Sequence, residues 1–344
     1  MARHQLSLRL LVATLVLALP PLWGWWSLQR GGPLRQEATV LVRKGASVDQ
    51  IAEQLEREGV IHSAAFFKLW ARTRKLQLLR GEYTFAPRAS LAEVAGKLRR
   101  GEIHFTQVVI PEGAHAWTVQ RRLKEFVAED AFWALWRSPR LARSAGFEKA
   151  ETLEGLVAPA TYRLHHAMEP EEILLDMVEA FARNVAPKLE GGVLPPYETL
   201  ILASLAEKET NVAAEFPKIA GVYHRRLQIG MRLQCDPTSL YARWVSGDLR
   251  FSAPLLDDIR RPHRFNTYSA DGLPPTPIAI PSAAAIEAAK APQEGMELYF
   301  VATGNGGHNF AKSLPEHNRN VGAYRQEMKR KKRLNRTAEK KNGK

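Results

Sequence analysis

The stretch YETLILASLAEKET, Tyr197 to Thr210, is apolar on nearly every side and then meets two carboxylates just before it should stop. Pro196 opens it as a first-turn residue. Leu200, Ile201, Leu202, Ala203, Leu205 and Ala206 cover most of the circumference, which predicts a helix buried all round. Carboxylates at the end of such a helix either reach water or sit in a cleft. Helical spacing separates the two. Glu209 follows Leu205 by four residues and Leu202 by seven, on the bulky apolar stripe, whereas Glu207 follows Ala203 and Leu200 on a more mixed face. A carboxyl group held against apolar surface loses hydration, its charged form is disfavoured and its pKa rises. That is the property a general acid needs near neutral pH. The spacing therefore prefers Glu209 to Glu207 as an acid.

Downstream lie loops rich in polar side chains at rigid turns: GMRLQCDPTSLY (Gly230 to Tyr241), RFNTYSADGLPPTPIAIPS (Arg264 to Ser282) and YFVATGNGGHNFAKSLPEHNRNV (Tyr299 to Val321). Asp236-Pro237-Thr238 reads as a turn that starts a helix, and Gly304, Gly306 and Gly307 permit close backbone approach before His308 and Asn309. Polar loops around a buried acid suit a sugar-binding groove. His308 and His317 lack metal-ligand spacing, so no metal and no cofactor is expected.

Upstream, Pro170 to Leu189 reads as a helix with acidic residues in its first turn, Glu190 to Thr199 as a loop, Leu153 to Leu164 as a buried turn and strand, and Ala128 to Ala150 as helical. From Ala38 to Phe126 a unit recurs: a β-like run, a turn and an amphipathic helix. Ser47, Ile51, Leu55; Ser90, Val94, Leu98; and His115, Val119, Leu123 each share one helical face. Ser47 with Gln50 and Ser90 with Glu93 read as capping boxes.

The chain has 344 residues, ordinary globular composition and one cysteine, Cys235, which excludes an internal disulfide framework. Its net charge is +13, but +8 of this sits in the last sixteen residues, Lys329 to Lys344. That run reads as a basic disordered tail, and nucleic acid is not an expected partner. Between Arg9 and Arg30 lie twenty uncharged residues closed by Trp23, Trp25 and Trp26. This matches an uncleaved membrane anchor over 10–29, with 1–9 as a short cytoplasmic N-terminus. A cleaved signal peptide would need a small-residue cleavage site after the apolar core, where bulky residues stand instead. Basic residues on both sides leave the orientation open.

LASLAEKET, GMRLQCDPT, FNTYSADGLPPTPIAIPS and GHNFAKSLPEHNRNV, in this order and behind a single anchor, closely resemble the endolytic murein transglycosylases, the YceG-like family. The strand–helix unit over 38–126 resembles the LysM type of peptidoglycan-binding module. The resemblance implies an α+β chain: a single N-terminal transmembrane helix, a LysM-like α+β module, then an α+β catalytic domain over 151–325 on the periplasmic, outer side of the inner membrane. It implies a carbon–oxygen lyase acting on peptidoglycan glycan strands, with peptidoglycan synthases as candidate partners. The family's catalytic glutamate falls on Glu209. Tyr162, Asp236, Asn266, Tyr268, His308 and Asn309 are the candidates to bind the glycan. The chain departs from the family at Ala158 and Ala160, in a run that usually reads aromatic-Pro-Asp-Thr-Tyr, at Cys235 and at Ser282.

A lytic transglycosylase cleaves the MurNAc–GlcNAc β-1,4 bond by attack of the sugar's own 6-hydroxyl, leaving a 1,6-anhydro end. One acid suffices, whereas ordinary glycosidases need a pair of carboxylates. The rivals are a muramidase-type hydrolase, with Glu207 or Asp236 as partner carboxylate, and a non-catalytic scaffold of a wall-synthesis complex.

Overall fold

The computed structural model describes residues 26–250 and 253–342. The expected anchor, but for its last four residues, lies outside them, as does the short N-terminus. Among the described residues no helix is long and apolar enough to cross a membrane. The chain is mixed α+β and divides into two units, Met1–Gln107 with Arg163–Glu169, and Val108–Tyr162 with Pro170–Lys344.

In the first unit, β1 (Ala38–Val42) leads through α1 (Val48–Arg57) and α2 (Ala64–Thr73) to β2 (Gly81–Phe85), and α3 (Leu91–Arg100) follows. The strands pair antiparallel, with Ala38 opposite Phe85 and Val42 opposite Gly81. Alternation along them turns Val40, Val42, Tyr83 and Phe85 inward. There they meet Ile51 and Leu55 of α1 and Val94 and Leu98 of α3, the positions that helical spacing selected. Both capping boxes form. Ser47 Oγ accepts from the Gln50 amide at 3.2 Å while Gln50 Oε1 accepts from the Ser47 amide at 2.8 Å, and Ser90 and Glu93 make the same exchange. His166 of the returning segment donates its backbone N–H to Glu82 at 3.2 Å, and its Nδ1 lies 2.7 Å from the same carboxylate.

The chain crosses between units within β3 (Thr106–Ile110) and β4 (Ala160–Leu164), which form a second two-stranded sheet. The third strand–helix run, grouped above with the first two over 38–126, therefore falls mostly in the second unit. Its helix α4 (Ala116–Leu123) buries Val119 and Leu123 as the spacing requires, yet His115 at its start makes no capping bond. The second unit begins at Val108, upstream of the 151–325 span expected for the catalytic domain. The sequence repeats an element there, but its apolar face is covered by a different core.

The second unit continues with α5 (Glu129–Trp136), α6 (Pro139–Arg143), α7 (Pro170–Asn184), α8 (Pro196–Glu209), α9 (Phe216–Gln228), α10 (Asp236–Val245), α11 (Leu256–Arg260) and α12 (Ala283–Lys290). A hairpin of β5 (Tyr299–Ala302) and β6 (His308–Ala311) precedes α13 (Leu314–Asn342). Helix α8 lies at the centre and packs against α9, α10 and α12, and every residue from Thr199 to Ala206 is buried. Ser204, one of two hydroxyls in that run, donates to the Ile201 carbonyl at 2.7 Å and accepts from the Ile278 amide at 3.1 Å. A buried polar group is thereby satisfied, and it pins the Pro-rich loop to the helix. The run from Lys329, expected as a basic tail, is helical as far as Asn342, as the end of α13. Lys, Arg, Glu and Ala are good helix formers, and Arg330 pairs with Glu327 one turn back at 2.7 Å.

Candidate active site

Helix α8 ends at Glu209, because Thr210 turns extended. The Glu209 carboxyl opens on a cavity of about 380 Å³ lined also by Arg226, Gln234, Asp236, Tyr268, Phe300, His308, His317 and Tyr324. Tyr223, one turn along the buried face of α9 from Arg226, donates its hydroxyl to Glu209 Oε1. Burial raises the pKa of Glu209. Hydrogen bonds from Tyr223 and the Cys235 thiol oppose the rise, nearby Asp236 adds to it, and His308 offsets it. Burial also lifts the Tyr223 hydroxyl and the Cys235 thiol well above their ordinary values, so both remain neutral donors beside the acid.

Glu207 has a different surrounding. Its Oε2 accepts from the Ser282 backbone at 3.0 Å and from the Ser282 hydroxyl at 2.6 Å, at the start of α12. A carboxylate so placed favours the helix N-terminus and anchors one helix to another. Ser282, a departure from the family pattern, is thus a structural partner. Lys208 between the two glutamates donates to the Gly113 carbonyl at 3.0 Å. A third carboxyl, Glu154, is fully buried and lies apart from the cavity. Burial pushes it up to about 7, against hydrogen bonds from Tyr241 at 2.9 Å and the Ala116 amide at 3.1 Å.

Of the expected glycan binders, Asp236, Tyr268 and His308 line the cavity with Glu209. Tyr268 donates to Asp236 Oδ1 at 2.6 Å, and burial, then that bond, raises the phenol's pKa. Three others do not line it. Asn266 is fully buried, its Nδ2 directed at the carbonyls of Asp258, Ile259 and Arg261 and its Oδ1 accepting from the Tyr268 amide at 3.1 Å. It shapes the loop that presents Tyr268 and has no donor left for a sugar. Tyr162 donates to the Ala158 carbonyl at 2.7 Å, closing its own turn. Asn309 follows His308 on β6, and strand alternation puts it on the opposite face, exposed.

Arg226, Phe300, His317 and Tyr324 were not singled out as binders. Arg226 is nearly buried and is committed to the carbonyls of Leu298 at 2.7 Å and Leu233 at 2.5 Å, with its guanidinium 5.3 Å from the Tyr299 ring centre. Its side chain links α9 to the hairpin strand that carries Phe300. The visible signal was helical spacing: Tyr223 and Arg226 are three apart and share a face with Ile219 and Val222. Polar residues on such a face must find partners inside.

An acid at the end of a buried helix, set in a polar cleft of an α+β unit, defines a candidate glycan-cleaving centre. A family model described as the YceG-like family matches residues 40–323, and the chain belongs to that family. The endolytic murein transglycosylase of Bacillus subtilis (strain 168) is 29% identical over 307 residues, which span 82% of this chain and 83% of that protein. The endolytic murein transglycosylase of Streptococcus pneumoniae serotype 2 is 28% identical over 323 residues; the match takes in 84% of this chain but 59% of the pneumococcal protein. A crystal structure of a YceG-like protein from Listeria monocytogenes superposes with a TM-score of 0.53 at 28% identity, covering 83% of this chain and 98% of that one.

Proposed function

We propose that this chain is an endolytic peptidoglycan lytic transglycosylase that cleaves the MurNAc–GlcNAc β-1,4 bond of nascent glycan strands, leaves 1,6-anhydro ends and so ends strand elongation. The observation that carries the reading is Glu209: a carboxyl whose pKa is raised by burial, at the rim of a polar cleft. Tyr223 occupies Oε1 as donor, which leaves Oε2 to carry the transferable proton. Protonated Glu209 gives that proton to the glycosidic oxygen. Its conjugate base then assists removal of the proton from the 6-hydroxyl as that oxygen closes on the anomeric carbon. Asp236, Tyr268 and His308 position the glycan.

One observation favours a second reading. Asp236 lines the same cleft and could serve a muramidase-type hydrolase as its partner carboxylate. Glu207, the other candidate partner, is held by Ser282. Purified glycan strands incubated with the protein and analysed by mass distinguish the readings. The lyase yields anhydro ends, the hydrolase reducing ends, and a scaffold neither.

The β–α–α–β order of the first unit, with its antiparallel strands, supports the reading of a LysM-like glycan-binding module there. The uncharged run over 10–29 supports a single-pass membrane anchor. Membership of the YceG-like family, not the charge pattern, is what supports an inner-membrane protein with its catalytic unit on the outer side, where peptidoglycan synthases would be its neighbours. Full-length protein is expected to stay with membranes through carbonate washing and to begin at Met1 or Ala2. A mature chain beginning after Trp26 would contradict the anchor.

A further inference from the structure

The short helical turn Ala213–Glu215 joins α8 to α9 and carries a carboxylate that the proposed reaction does not use. Glu215 Oε1 accepts from the His308 backbone amide at 2.7 Å, and its Oε2 lies 2.8 Å from His308 Nδ1. Thr210, the residue after the acid, donates its hydroxyl to the same Oε2 at 3.1 Å. The preceding loop is shaped for this approach. Gly307 has φ +77°, and a Cβ there would stand 2.7 Å from Glu215 Oε1. Only glycine combines that backbone with that clearance.

Burial pushes the Glu215 carboxyl up, but the bonds from His308 and Thr210 outweigh it and hold it below its ordinary value. The group is therefore an ionised acceptor. An imidazole nitrogen facing an acceptor must carry the proton, so the neutral ring has its hydrogen on Nδ1 and a bare lone pair on Nε2. His308 lines the cavity beside Glu209, whereas Glu215 does not. The Phe300 ring meets the imidazole edge-on, with centroids 5.4 Å apart, and confines its rotation. No described protein group bonds to Nε2.

We propose that Glu215 is a positioning residue for the glycan reaction: it fixes the tautomer and rotation of His308 so that Nε2 faces the cleft as a hydrogen-bond acceptor for a sugar hydroxyl. The inference rests on the transglycosylase reading for its substrate, but the Glu215–His308 unit is independent of it. A side-chain amide at 215 could turn its NH2 toward Nδ1. The proton would then move to Nε2, and the cleft would meet a donor in place of an acceptor.

The test joins a spectroscopic signature to a double-mutant cycle. In 15N NMR of the wild type, the neutral His308 ring is expected to carry its proton on Nδ1. In Glu215→Gln the Nε2-protonated form is expected to become populated. Turnover by Glu215→Gln is expected to fall about 10- to 100-fold, as for loss of a group that orients a site residue. The Glu215→Gln/His308→Ala double variant is expected to be no slower than His308→Ala alone. An Nε2-protonated ring in the wild type overturns the proposal, even if Glu215→Gln does not fold. So do an unchanged tautomer in Glu215→Gln and losses that multiply in the double variant. Reducing-end products would sink the transglycosylase reading and leave the cycle readable on those products. With no products at all, the tautomer alone decides.

Discussion

Glu209→Gln is expected to fold, to bind glycan and to release no measurable anhydro-ended product. Gln keeps the shape and can still accept the Tyr223 bond, but it has no proton to give. General acid–base groups contribute on the order of 10²–10⁴-fold, which sets the expected loss. Glu207→Gln should retain most activity, because its amide oxygen can still accept from Ser282 and its side chain does not line the cleft. A thermal melt should separate the two. Removing a buried ionisable group leaves Glu209→Gln at least as stable as the wild type, while weakening the tie between α8 and α12 makes Glu207→Gln the less stable protein. The pH profile adds a sign. The acid must be protonated to act, so activity is present below its pKa and lost as pH rises through it. Because burial raises that pKa, the loss should fall above the ~4.3 of a free glutamate. A dead Glu207→Gln beside an active Glu209→Gln would invert the assignment.

Asp258→Ala should destabilise the second unit by about 3–5 kcal/mol, the usual result of removing one partner from a buried ion pair. Arg243 of α10 and Asp258 of α11 are 0% and 2% exposed at the side chain, with Nη1 and Oδ2 2.6 Å apart. Asp258 also accepts from the Leu255 amide at 2.8 Å. Its loss leaves a guanidinium in the interior without its counter-charge. The effect should reach the cleft, because the backbone of Asp258 and Ile259 takes the side chain of Asn266, which in turn holds the Tyr268 amide. Urea denaturation of the variant measures the loss. Replacing both partners with apolar residues of similar volume should recover much of it, since the desolvation penalty is removed with the pair. A loss below about 1 kcal/mol, the range of exposed pairs, would mean that the charges are not buried as described.

How much of this was legible depended on distance along the chain. The all-round apolar run over Leu200–Ala206 gave a central helix, and four- and seven-residue spacing separated Glu209 from Glu207. Those are local quantities, fixed by helix geometry. Capping boxes and the inward residues of the first unit were readable for the same reason. Contacts between distant segments were not. Glu215 meets His308 across 93 residues, and Ser282 meets Glu207 across 75. No periodicity records such pairs. Asn266 and Tyr162 carry polar groups of the right kind for a glycan, yet nearby carbonyls engage them first. The Asn309 assignment was correctable from sequence, since a strand cannot turn neighbours to the same face. The basic run from Lys329 shows that charge pattern alone does not decide against a helix: Lys331 donates its ammonium to the Gly304 carbonyl, tying that part of α13 to the hairpin turn.

The most direct measurement of the central claim is cleavage of purified glycan strands by the wild-type chain in 18O-labelled water. Attack by the sugar's own 6-hydroxyl uses no water, so the new ends should be anhydro-muramyl and carry no label. Labelled reducing ends on the released strands would contradict the account.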